Sequence, residues 1–378
     1  MKKIVLIMMI IVSLLVSGCS KNAKQVKNPT FEENNKTEIK ITDISLNGYD
    51  MEKLSFPTAG NFRLQSVRWI DDKSMLIILD DRSPTHQDNL TSRIYYITIQ
   101  EDKEPRLIYD GSFIGMDQLI WLKKLTNGDL LLEGLDRALL IDLKALAVTE
   151  TIKYPKGSNR ADITFDGKKI AYDNEQGLFV DTIPYSTPVQ LFESNYNEKE
   201  KQVPGEPKWS KDGKVLCYTT NGKNPFKYVF VTAEGKKIWE YPVEANGFGW
   251  WFEDNQNFAS VSLGENFGKI PKLYIININN KTVYESPESG ALLIDTPPFR
   301  DRLLYIQYLT DKFSELHYFP QKLKLLNITT KEEKAVTPDF QIIISPTISP
   351  TGKIAFIGLY SKSESEDVYN IYILKDSI

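Results

Sequence analysis

Trp209-Ser210-Lys211-Asp212-Gly213-Lys214-Val215-Leu216-Cys217-Tyr218, followed by Tyr228-Val229-Phe230-Val231-Thr232-Ala233, decides the fold of this chain. The Asp-Gly pair supplies the positive φ that a two-residue hairpin turn needs. The β-branched and aromatic flanks suit strands packed on both faces. The unit is therefore strand, tight turn, strand, loop, strand.

The unit recurs along the chain. Copies of its third strand begin at Ile94, Ala138, Leu178, Tyr228, Leu273, Leu323 and Tyr369, spaced 44, 40, 50, 45, 50 and 46 residues apart. Ahead of them lie the turn copies Trp69 to Lys73, Trp121 to Gly128, Ile163 to Gly167, Trp251 to Asn255, Phe299 to Arg302 and Ile348 to Gly352. Fourth strands follow near Arg106, Thr149, Val189, Lys237, Thr282 and Glu333; the last unit has none before Ile378. A period of about 45 residues built from four strands is the mark of a propeller blade. The sequence predicts an all-β β-propeller over residues 38–378, most simply of seven four-stranded blades, with six or eight left open. The unassigned strand Glu38 to Leu46 is expected to close the ring as the outer strand of the last blade.

The N-terminus carries a different message. Lys2-Lys3 precedes a 13-residue apolar run, Ile4 to Val16, ended by Ser17-Gly18-Cys19. That run is shorter than the ~20 residues a membrane-spanning helix needs, and it fits a secretory signal. Residues 20–37 are polar and read as a tether with a reach of roughly 20–25 Å. The expected organisation is a signal peptide over 1–18, the cysteine and tether over 19–37, and one propeller over 38–378.

Val16-Ser17-Gly18-Cys19 resembles the lipobox of bacterial lipoproteins. The resemblance implies cleavage before Cys19, lipid on its sulfur, and residence on the extracytoplasmic face of a cell membrane, with the bilayer as a partner. Phe165-Asp166-Gly167-Lys168, Ser210-Lys211-Asp212-Gly213-Lys214 and Ser349-Pro350-Thr351-Gly352-Lys353 resemble TolB-like (WD40-like) propeller repeats. As a whole the chain looks like the YqgU-like lipoprotein propellers of Gram-positive bacteria.

Composition narrows the function. The chain has 41% hydrophobic and 25% charged residues and a formal net charge of -4, with a pI near 5.6. No basic excess exists to neutralise phosphates, so nucleic acid is excluded as the expected partner. If Cys19 is lipidated, Cys217 is the remaining cysteine and no internal disulfide forms; its apolar setting predicts an inert buried thiol. Two histidines, His86 and His317, cannot build a three-His zinc site, and no cofactor or nucleophile motif is present, so neither metal nor cofactor is expected. Asp166, Asp212 and Asp254 occupy turn positions, and Trp69, Trp121, Trp209 and Trp251 recur at one blade position as expected core.

Propeller geometry puts the short first turns on one face and the longer loops on the other. Binding tends to live on long loops over a rigid scaffold. The candidate binding residues there are Tyr196, Phe226, Phe267, His317, Tyr318 and Phe319. The function expected is a membrane-anchored binding or scaffolding module for a protein or cell-wall partner. Two alternatives stand beside it: an accessory subunit of a membrane complex, and a propeller enzyme acting on cell-wall polymer. The enzyme would draw on Arg160, Asp162, Asp117 and Asp295 near the starts of inner strands.

Overall fold

The computed structural model describes residues 39–376, apart from 57–61, 82–90, 100, 102–103, 113–120, 135, 197–201, 223–225, 244–248, 263–271, 287–290, 294–297, 310–319 and 361–368. It is a seven-bladed propeller, as the repeats predict. In chain order, β1 (Lys40–Leu46) and β2 (Tyr49–Ser55) precede blade 1, which is β3 (Phe62–Trp69), β4 (Ser74–Asp81), β5 (Thr91–Thr98) and β6 (Arg106–Ser112). Blade 2 is β7 (Trp121–Lys124), β8 (Leu130–Glu133), β9 (Arg137–Asp142) and β10 (Ala147–Lys153). Blade 3 is β11 (Arg160–Ile163), β12 (Lys169–Asn174), β13 (Gly177–Thr182) and β14 (Val189–Glu193). Blade 4 is β15 (Gln202–Trp209), β16 (Val215–Gly222), β17 (Phe226–Thr232) and β18 (Lys237–Val243). Blade 5 is β19 (Gly249–Trp251), β20 (Asn257–Ser262), β21 (Lys272–Asn277) and β22 (Thr282–Glu285). Blade 6 is β23 (Ala291–Leu293), β24 (Arg302–Tyr308), β25 (Gln321–Asn327) and β26 (Glu333–Ala335). Blade 7 combines β27 (Ile342–Ile348), β28 (Ile354–Leu359) and β29 (Asn370–Leu374) with the two N-terminal strands.

The closure differs from expectation in one respect. The strand over Lys40–Leu46 lies in blade 7, but it pairs with β2, and β2 pairs with β29, so blade 7 has five strands in the order β1-β2-β29-β28-β27. The cause is the turn Asn47-Gly48, with φ of 50° and 86°. Two successive left-handed residues make the hairpin turn whose twist matches the strands it joins. After Ser194 the chain becomes strand again from Gln202 onward, paired with β16 up to Gly222.

Alternation places apolar side chains on both faces of each inner blade strand, so the core lies between blades. Each of the buried apolar clusters is shared mainly by two neighbours, as where Leu64 and Ile77 of blade 1 meet Leu54, Ile357 and Ile371 of blade 7. Met51 of β2 points the other way, into the cluster with Leu304 and Leu323 of blade 6. Blades 7 and 1 are also latched by polar groups. Val67 N donates to Ser345 Oγ at 2.9 Å, and the Asp72 carboxylate accepts from Ser349 Oγ at 2.8 Å and from Thr351 N at 2.8 Å. Burial pushes the Asp72 carboxyl up, but these donors and Lys353 outweigh it and hold the carboxyl below its usual range.

Candidate functional site

The first turns of six blades close with one backbone bond of the same kind, donated by the residue that opens the turn to a carbonyl four or five residues on. In blade 4, Ser210 N donates to Val215 O at 2.8 Å, Ser210 Oγ to Asp212 Oδ1 at 2.7 Å, and Lys214 N to Asp212 Oδ1 at 3.1 Å. Asp166 and Asp254 accept the same kinds of bond, so these aspartates serve as turn acceptors. The residues that open the equivalent turns are Ile70, Leu125, Thr164, Ser210, Phe252 and Ser349.

Stepping two residues back from each of those positions gives Arg68, Lys123, Asp162, Lys208, Trp250 and Thr347. All six line one cavity of about 400 Å³ at the end of the ring where the inner strands enter their first turns. That volume lies within the range of small-molecule sites, about 300–1,000 Å³. Trp69, Trp209 and Trp251 line it as well. Trp121 of blade 2 meets Trp250 of blade 5 edge to face at 5.9 Å. These blades are not neighbours in the ring, so the pair reaches across the channel.

Four ionisable groups beside the cavity form one buried network. Lys123 Nζ lies 2.8 Å from Asp162 Oδ1 and 2.9 Å from Glu133 Oε2, and it donates to Ile163 O at 2.6 Å. Lys208 Nζ lies 3.1 Å from Asp162 Oδ1, while Trp209 N donates to Asp162 Oδ2 at 2.7 Å. Ile163 N donates to Glu133 Oε1 at 2.8 Å. The Lys208 ammonium also sits 3.1 Å from the Trp121 ring centroid, a cation–π contact in a desolvated place.

Burial opposes charge on all four, and the neighbours decide the outcome. For Lys123, burial is outweighed by the carboxylates of Asp162 and Glu133, which hold the ammonium above its usual range. Asp162 is likewise buried, yet Lys123 and Lys208 pull its carboxyl below the usual range. At Glu133 burial wins and pushes the carboxyl up. Burial also wins at Lys208 and pushes the ammonium down. Asp162 thus stays a fixed anion gripped by three donors.

A second cluster lies at the opposite end of β11 and β12, where Arg160 pairs with Asp173. Burial, with Glu206 adding and Asn159 and Arg160 opposing, pushes Asp173 up to about 6. Its folded value exceeds the unfolded one of about 3.9, so its stabilising effect is complete below about pH 4 and lost as pH rises through 6. Asp173→Asn is expected to raise stability at pH 8 by about 1–3 kcal/mol, a gain that shrinks toward zero at pH 4. Urea unfolding at both pH values checks this, and an equal gain at both would contradict it.

The residues expected on the long-loop face are only partly in view. Tyr196 is 53% exposed, after β14 and beside the Asn195–Gln202 bridge. Phe226 is the first residue of β17, half-buried and packed on the blade 4–5 cluster of Tyr228 and Phe258. Phe267, His317, Tyr318 and Phe319 lie outside the described residues, as do Cys19, His86, Asp117 and Asp295. Cys217 is buried, and burial pushes its thiol well up, which keeps it unreactive. Among the described residues no group of three His, Cys, Asp or Glu side chains is placed to hold a metal ion, and no helix is long and apolar enough to cross a membrane.

No protein-family model and no curated protein matches the sequence. Among solved structures, the chain is similar to an oligogalacturonate lyase from Vibrio parahaemolyticus, at 13% identity and TM-score 0.56 over 89% of this chain and 96% of that one. It is similar also to an oligogalacturonate lyase in complex with manganese, at 11% identity and TM-score 0.58 with the same coverages, 89% and 96%. A protein of Agrobacterium tumefaciens named as TolB matches at 12% identity over 83% of this chain and 100% of that one, and its TM-score of 0.45 carries no argument. At these identities the likenesses show the propeller fold alone.

Proposed function

We propose that this chain is a lipid-anchored, extracytoplasmic binding propeller of the YqgU-like kind, holding its ligand in the central cavity. The observation that carries the reading is the register position two residues before each first turn. It brings Arg68, Lys123, Asp162, Lys208, Trp250 and Thr347 from six blades to one wall. Rigid inner strands placing convergent polar groups among aromatic rings are what a binding site requires. The competing reading, an enzyme acting on cell-wall polymer, would use Asp162. Both oxygens of that carboxylate are engaged by Lys123, Lys208 and Trp209 N, which suits a counter-ion better than an acid or base. The long-loop face, with Tyr196, Phe226, Phe267, His317, Tyr318 and Phe319, would serve a protein or cell-wall partner.

The anchor is tested by the intact mass of detergent-extracted protein. A mature chain starting at Cys19 with a diacylglyceryl addition is expected; a chain starting at Met1 contradicts it. The cavity is tested by tryptophan fluorescence of the full chain titrated with dialysable fragments of hydrolysed bacterial envelope. A spectral shift is expected in the native protein and a smaller one in Trp209→Phe. No shift, or an equal shift in the variant, would put the ligand elsewhere.

A further inference from the structure

We infer that the central cavity takes an acidic saccharide, a sugar bearing a carboxylate or a phosphate. This rests on the cavity being the binding site and adds the chemistry of what it binds. The first observation is the sign of the wall. Arg68, Lys123, Lys124, Lys208, Lys211 and Arg300 line it against the carboxylates of Asp162 and Glu253, in a chain whose formal charge is -4. Lys123 and Lys208 answer Asp162 and Glu133, and Lys211 sits 2.7 Å from Glu253. Lys124 and Arg300 are exposed on the lining and have no carboxylate partner among the described residues. An excess of positive charge focused in a concave, low-dielectric site selects anions.

The second observation concerns donors. Among the described residues the indole N–H groups of Trp69 and Trp209 meet no acceptor, although the side chains are only 6% and 2% exposed and both line the cavity. A buried donor without a partner is costly; each Nε1 is itself closed to solvent, and a ligand rich in acceptors relieves the cost by a small turn of the indole toward the cavity. The third observation is the flat apolar surface. Trp250 and Trp251 line the same space, with Phe165 and Phe299 in adjoining turns. Aromatic faces receive the C–H faces of a sugar ring, indole N–H groups donate to its hydroxyls, and the rim cations take its acid group. A saccharide acid combines all three needs; a bare anion leaves the rings unused, and a neutral sugar leaves the cations unused.

The test is calorimetric titration of the full chain in detergent with cellobiouronate, trehalose 6-phosphate, cellobiose and inorganic phosphate. At least one of the two acidic disaccharides is expected to bind ten-fold or more tightly than cellobiose, with the gap narrowing in high salt. The preferred one identifies the acid as carboxylate or phosphate. The double variant Lys124→Ala/Arg300→Ala, both exposed and outside the core, is expected to lose at least five-fold for the acidic disaccharide while cellobiose is unaffected. Cellobiose binding as tightly as the acids, or inorganic phosphate as tightly as trehalose 6-phosphate, would overturn the inference and leave the cavity a binding site. Four silent titrations with a fluorescence response to envelope hydrolysate would do the same. Silence in both experiments would overturn the inference and the binding reading together.

Discussion

Asp162→Ala is expected to destabilise the protein by about 3–5 kcal/mol, the cost of breaking a buried ion cluster by removing one member. Asp162 accepts from Lys123 Nζ, Lys208 Nζ and Trp209 N, and all of these are buried. Alanine leaves two buried ammonium groups facing one carboxylate, Glu133, and takes the acceptor from Lys123 Nζ, Lys208 Nζ and the buried Trp209 N, a loss that deprotonating Lys208 does not repair. Lys208→Met is the informative contrast. It leaves two carboxylates facing Lys123, and Glu133, already pushed up by burial, can take a proton and restore neutrality. The methionine puts an unbranched apolar chain where the ammonium met the Trp121 ring, so this change is expected to cost under about 2 kcal/mol. Urea unfolding of both variants checks the pair. An Asp162→Ala cost at or below that of Lys208→Met would mean that Asp162 does not organise the cluster.

Closure of the ring gives the other large effect. β2 carries Met51 and Leu54, both fully buried, on its two opposite faces. Met51 packs against blade 6 residues and Leu54 against blade 1 residues, so one outer strand is clamped from both sides. Each truncation to Ala is expected to cost about 2–5 kcal/mol through lost burial and the cavity left behind. The two sites share no cluster, so the double variant should cost about the sum. That sum approaches the whole stability of a typical domain. A double variant no less stable than either single one would show that blade 7 closes without β2.

The repeats were legible because each blade spells its own hairpin. Asp-Gly turns and crowded third strands such as Tyr228 to Ala233 are local signals, and the third and fourth strands fall where the spacing puts them. β2 was hidden because Tyr49–Ser55 has just two fully buried apolar residues, one for each face, so no alternation stands out. The Asn47-Gly48 pair was the signal that could have shown it. Lys123, Glu133 and Lys208 were missed for a different reason. A buried charge and a surface charge look alike in sequence, and these ion pairs join residues 10, 39 and 46 apart along the chain. Aligning blades on the residue that opens the first turn would have exposed the column Arg68, Lys123, Asp162 and Lys208. The tryptophans expected in the core are buried, yet three of the four, Trp69, Trp209 and Trp251, also line the cavity.

A crystal structure of the protein grown with cellobiouronate or trehalose 6-phosphate tests the central claim most directly. The account predicts the disaccharide inside the ring, with a hydroxyl within hydrogen-bonding distance of Trp69 or Trp209 Nε1 and the acid group at Lys124 or Arg300. A disaccharide seated on the long-loop face, with the central cavity unchanged, would contradict it.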